Sequence, residues 1–85
     1  MSDKKIELTQ HAEDMLRERA IEADWVEQTV RNPESVEKDP VRPATIRAFR
    51  RIPERDSRVL RVVYVATEQV ARIVTAFFDR AKRRK

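Results

Sequence analysis

Residues 58–78 read RVLRVVYVATEQVARIVTAFF. Two runs rich in β-branched and aromatic residues, 58–66 and 69–78, flank Thr67 and Glu68, which predicts a β-hairpin. With Thr67 and Glu68 as a two-residue loop, Ala66 faces Gln69, Tyr64 faces Ala71, Val62 faces Ile73 and Leu60 faces Thr75. Side chains alternate along a strand, so these residues share one face. That face carries no charge and is expected to receive the two helices that precede it in the chain. The other face carries Val59, Arg61, Val63 and Val65 against Val70, Arg72, Val74, Ala76 and Phe78, with Arg61 and Arg72 as diagonal neighbours. A slip of one residue would exchange the two faces.

Upstream, 45–52 has the composition of a further strand, and 53–57 is a turn with Pro53 pre-set for its second position. Val36 to Lys38 reads as a short strand broken by Pro40 and Pro43. Before Ser35 the period is helical. Thr9 is a suitable N-cap for a helix running to about Ala20, with Ala12, Met15, Leu16 and Ala20 on one stripe. A second helix runs from about Glu22 or Ala23 to Arg31, where Pro33 forces Asn32 out of the helical region. Ile21 and Val26 then have the spacing of a hydrophobic staple, and Trp25, Val26, Thr29 and Val30 form its buried side. Residues 4–8 (KKIEL) are an extended lead-in. The expected class is α+β: two N-terminal helices packed on one face of a three- to four-stranded antiparallel sheet.

Composition narrows the chemistry. The 85 residues leave room for one domain with a modest core. There is no cysteine and one histidine, so thiolate chemistry and a His-rich metal site are excluded, and a site of carboxylates alone has no support. There is no glycine, which removes the phosphate-binding loops and the nucleophile elbow, each of which needs one. No metal or cofactor is expected. The charged start MSDKK and the lack of a long apolar stretch predict a soluble, cytoplasmic protein with no membrane partner.

Charge is unevenly distributed. Residues 1–40 hold 6 Lys/Arg against 11 Asp/Glu, and residues 41–85 hold 13 against 4. Apart from the tail RAKRRK, every basic residue of the second half is arginine, whose planar fork grips phosphate or carboxylate with two parallel bonds. A polyanion or an acidic partner is one expectation; pairing of these arginines with the acidic helices of the same chain is the other.

Thr9, His11, Ala12, Arg19 and Ile21 spell T-x-H-A followed by R-x-I, and the chain closes on the strand IVTAFF. In this the chain resembles a bacterial domain-of-unknown-function family of small proteins whose helix reads H-A-x-x-R-M-x-x-R-x-I, similar in plan to the RelE and BrnT toxins. The resemblance spans Ile6 to Phe78, with Leu16 in place of a methionine, Met15 in place of the family arginine, and Ala20 where glycine is common. It implies a RelE-like domain over 1–79 with a basic tail at 80–85, and a toxin–antitoxin or RNA-directed role. An mRNA-interferase type of endoribonuclease acting on RNA or the ribosome, with an acidic antitoxin as partner, would follow. Met15 raises the question of a degenerate member.

RNA cleavage of that type needs cations at the scissile phosphate and a proton-transfer group. The catalytic candidates are Arg61, Arg72 and His11; Tyr64 falls on the core face. His11, near a helix N-terminus, either packs or caps, or serves as a neutral base. Arg47, Arg51, Arg80, Lys82, Arg83 and Arg84 are the nucleic-acid-binding candidates. The alternative is a non-catalytic module whose apolar, arginine-bearing sheet face holds a protein partner or a second copy of the chain.

Overall fold

The structure, a computed structural model, describes residues 4–80. Chain order is β1 (Lys5–Glu7), α1 (Gln10–Glu18), α2 (Ala23–Arg31), β2 (Ser35–Lys38), β3 (Thr45–Ile52), a 3₁₀ turn (Pro53–Arg55), β4 (Arg58–Ala66) and β5 (Val70–Phe78). The strands form one sheet in the order β1-β5-β4-β3-β2. The class is α+β as expected, but the sheet has five strands and is mixed. The lead-in forms β1 and pairs parallel to β5, Ile6 beside Ala71. A parallel edge strand needs a long crossover, and α1 to β4 supply it. Periodicity cannot reveal such a pairing in three residues.

The helices form where their caps and stripes dictate. Thr9 accepts the Ala12 N–H at 3.1 Å as N-cap of α1. At the other end Ala20 N–H donates to Arg17 O at 3.2 Å and Ile21 N–H to Leu16 O at 2.9 Å, with buried Ile21 and Leu16 on the same turn. These are the paired bonds of a Schellman motif, which puts Ala20 in the left-handed region at φ 55°. Helix α2 buries Val26 and Thr29, and Thr29 Oγ1 donates to Trp25 O at 2.7 Å, so the Thr29 hydroxyl is not stranded in the core.

Both helices cover one side of the sheet. Leu60, Val62 and Tyr64 of β4, Ala48 and Ile52 of β3, and Ala71, Ile73 and Ala76 of β5 meet Met15, Leu16, Ile21 and Val26. Burial pushes the Tyr64 hydroxyl to a raised pKa.

The hairpin pairing differs from the simple two-residue register. Ala66 pairs with Ala71, Tyr64 with Ile73, Val62 with Ala76 and Leu60 with Phe78. The register shifts at Val63/Tyr64, where Val74 is the extra residue of a β-bulge. Before the bulge Ala71 and Ile73 point inward; after it Ala76 and Phe78 do. Ala76 and Phe78 therefore lie under the helices, Ala76 fully buried and Phe78 edge-on to Trp25 at 6.4 Å, whereas alternation without a bulge would have placed both outside. The wider turn, which sets Ala66 opposite Ala71 and not Gln69, places Arg72 opposite Val65, four residues along β4 from Arg61. At strand rise they stand about 13 Å apart, so they are not diagonal neighbours.

Three non-glycine residues, Ala20, Asp56 and Ser57, adopt positive φ. With no glycine in the chain, side chains with a Cβ occupy these sites at a cost of about 1 kcal/mol each. Ala20→Gly should therefore raise stability by about 1 kcal/mol, read as a higher urea midpoint with unchanged slope. A drop in midpoint would mean that α1 does not end in a left-handed cap.

Candidate functional site

The sheet face away from the helices carries Arg47 and Arg51 of β3, Arg61 of β4 and Arg72 of β5, interspersed with Val63, Val65, Val74 and Phe77. The alternation of β3 and β4 puts Arg47, Arg51 and Arg61 on this side, and Arg72 joins them opposite Val65. Each is held by a carboxylate of the same chain. Arg47 lies 3.2 Å from Asp39 and 3.6 Å from Glu37. Arg51 forks onto Glu34, from 3.1 Å. Arg72 Nε donates to Glu7 of β1 at 2.8 Å. Intramolecular pairing thus occurs, with carboxylates on strands and loops and not, as expected, on the helices. The helical acids Asp14 and Glu27 instead pair locally with Arg17 and Arg31.

Arg61 is about as enclosed as Arg47 and far more so than Arg51 or Arg72. Its Nη1 lies 3.1 Å from Asp79, with the two side chains 29% and 10% exposed. Its guanidinium sits over Phe49 at 5.8 Å and Phe77 at 5.3 Å. Its Nε is buried without a hydrogen-bond partner among the described residues. This arginine covers Phe49, which is buried although it belongs to the uncovered face. Sequence alone showed an arginine on an apolar face; that it closes a small second core over Phe49 depended on Asp79, just past the end of β5.

The remaining candidates lie elsewhere. His11 is exposed on the first turn of α1, in the layer on the opposite side of the sheet from Arg61 and Arg72. Its motif neighbour Arg19 donates to Ala76 O at 2.8 Å and Thr75 Oγ1 at 3.2 Å, bracing β5 just past the bulge. Arg80 is exposed and is the last described residue. Lys82, Arg83 and Arg84 lie outside the described residues. Among the described residues no group of three or more His, Cys, Asp or Glu side chains is placed to hold a metal ion, and no helix is long and apolar enough to cross a membrane.

A second cationic group, missed as a unit in the sequence, gathers at the end of the sheet where β5 finishes. Arg55 and Arg58 each place the guanidinium carbon 5.0 Å from the Phe78 ring centre, and Arg55 also lies 5.9 Å from Trp25. Arg55 donates to Ala20 O at 2.9 Å. Among the described residues none of Arg55, Arg58 and Arg80 has a carboxylate within ion-pair distance, in contrast to the four arginines of the open face. Arg58 and Arg80 line a cavity of about 420 Å³ with Asp56, Ser57, Phe78 and Asp79. The only advance signal was the turn 53–57 with an arginine at 55 and another at 58.

The chain belongs to the DUF4258 family, described as a domain of unknown function, which matches residues 8–78. No curated protein and no solved structure matches it.

Two predictions follow from the ion pairs. Arg61→Ala removes a largely enclosed ion pair with Asp79 and uncovers Phe49, so it should cost about 2 kcal/mol in urea unfolding, more than Arg72→Ala at an exposed pair, which should cost less than about 1 kcal/mol. The hydrogen bond from Arg51 holds the Glu34 carboxyl below its ordinary pKa, and the N–H groups of Arg42 and Val41, then Arg47, do the same for Asp39. A pKa lowered by folding adds stability above the ordinary carboxylate value, near 4, and that stability disappears as pH falls through the folded value. The melting temperature should be flat from about pH 7 to 5 and decline below about pH 4, and Glu34→Gln should lower it at pH 7 while making the acid decline shallower.

Proposed function

We propose that this DUF4258 protein is an RNA-directed factor of RelE/BrnT-like plan, of the kind found in toxin–antitoxin systems, and that it acts by binding RNA phosphate at the Arg55, Arg58 and Arg80 end of the sheet. The observation that carries the reading is the division among the arginines. Those of the open face are engaged by carboxylates, and among the described residues these three are not; Arg55 and Arg58 stand against Phe78, and Arg80 lines the same cavity where the basic tail begins. Guanidinium groups without carboxylate partners, next to aromatic rings, suit phosphate contact and base stacking.

Binding, not cleavage, is the activity this arrangement favours. Cleavage asks for cations and a proton-transfer group around one phosphate. Arg61 and Arg72 stand about 13 Å apart by strand rise, and His11 lies in the helical layer.

A second reading rests on the open face itself. Val74 is 48% exposed there, beside partly exposed Val63, Val65 and Phe77, and the charges around them are mutually paired. An apolar patch whose charges are already compensated suits a protein partner, an antitoxin or a second copy of the chain. A dimer in sedimentation, lost on Val74→Glu, would favour it.

The RNA reading is tested by fluorescence anisotropy with a short single-stranded RNA. Three phosphate contacts imply about a 20-fold loss of affinity between about 50 and 200 mM salt. The double variant Arg55→Gln, Arg58→Gln should reduce the logarithmic salt slope by about 1.4, while Arg72→Gln leaves it unchanged. No binding at about 50 mM salt, or a slope that the double variant does not alter, would overturn the proposal.

A further inference from the structure

The cavity at the end of β5 has three features that sharpen the RNA reading. At about 420 Å³ it has the size of a small-ligand site. Its lining includes two arginines, Arg58 and Arg80, and Ser57. It is also built on two successive left-handed residues, Asp56 and Ser57, both at φ 58°. That turn is held by Ser57 N–H donating to Ile52 O at 3.0 Å. Arg58 is kept over the Phe78 ring, so its charge is positioned with no carboxylate among the described residues in ion-pair contact.

We infer that this cavity binds the phosphomonoester of a nucleotide, supplied either by a free mononucleotide or by the 5′-phosphorylated end of an RNA. The inference rests on the RNA-directed reading and names the group that its arginines grip. Arg58 and Arg80 donate to the phosphate oxygens in the forked geometry guanidinium favours, and Ser57 adds a hydroxyl donor. Of the two carboxylates on the wall, Asp79 is compensated by Arg61 at 3.1 Å. Asp56 is exposed and can only accept hydrogen bonds while ionised, which suits a sugar hydroxyl and repels a second anionic group. One phosphate per ligand is therefore preferred to a polyphosphate.

Calorimetric titration of the full chain with AMP, adenosine and ATP tests this, followed by RNA 12-mers that differ only in a 5′-phosphate or 5′-hydroxyl. AMP should bind at least tenfold tighter than adenosine and tighter than ATP, and the 5′-phosphorylated RNA tighter than the 5′-hydroxyl RNA by a similar factor. Arg80→Gln should weaken AMP about tenfold. Ser57→Gly is the decisive variant, because glycine relieves the left-handed backbone while removing the hydroxyl: the protein should melt at a higher temperature and yet bind AMP several-fold more weakly. Equal affinity for AMP and adenosine, or AMP affinity unchanged in both variants, overturns the inference. If both RNAs bind with equal affinity and AMP does not bind, the RNA reading stands and the cavity is not a phosphate site. If AMP binds and neither RNA does, the cavity is a nucleotide site and the RNA reading falls.

Discussion

The pairing of β4 with β5, interrupted once at Val74, is the constraint on which the rest of the structure depends. A strand has two faces and period two, so one inserted residue reverses every side chain beyond it. Because of that insertion Phe78 turns inward to Trp25 and Phe77 turns outward beneath the guanidinium of Arg61. The same insertion brings Ala76 under the helices and leaves its carbonyl within reach of Arg19. Both surface features discussed above, the arginine-covered Phe49 patch and the Phe78 cationic end, are consequences of where the phase changes.

Electrostatics then separates the two. The chain is rich in arginine, and most of it on the open face is compensated internally: by Glu7 from the neighbouring strand, by Glu34, Glu37 and Asp39 from around the far edge, and by Asp79 at the end of β5. Such pairs organise a surface more than they stabilise it, since exposed ion pairs contribute little. Arg61 is different because it lies over two rings and its partner carboxylate is nearly covered. Arg55 and Arg58 are held instead by aromatic rings and, for Arg55, a backbone carbonyl, with no carboxylate among the described residues within ion-pair distance.

The absence of glycine links fold and candidate site. At Ala20 the left-handed residue closes α1 in a Schellman cap, and there the strain is purely architectural. At Asp56 and Ser57 two such residues in succession shape the turn that walls the cavity. Motif residues Thr9, Ala12, Arg19 and Ile21 all have structural duties, as cap, core, brace and core. His11 between them is exposed.

The sequence by itself determined the local elements: the Thr9 cap, the end of α2 ahead of Pro33, the bounds of β3 and β4, and the side of β4 that faces the helices. Each of these is set by neighbours a few residues away, through capping, proline sterics or alternation. Only the tertiary structure decided the parallel docking of β1, the bulge at Val74 and the carboxylate each arginine would meet. Consecutive phenylalanines at 77 and 78 fit either phase of β5 equally well, and only the ring of Trp25 on one side and the guanidinium of Arg61 on the other distinguished them. Partners 65 residues apart in the chain, such as Glu7 and Arg72, leave no periodic trace in either segment.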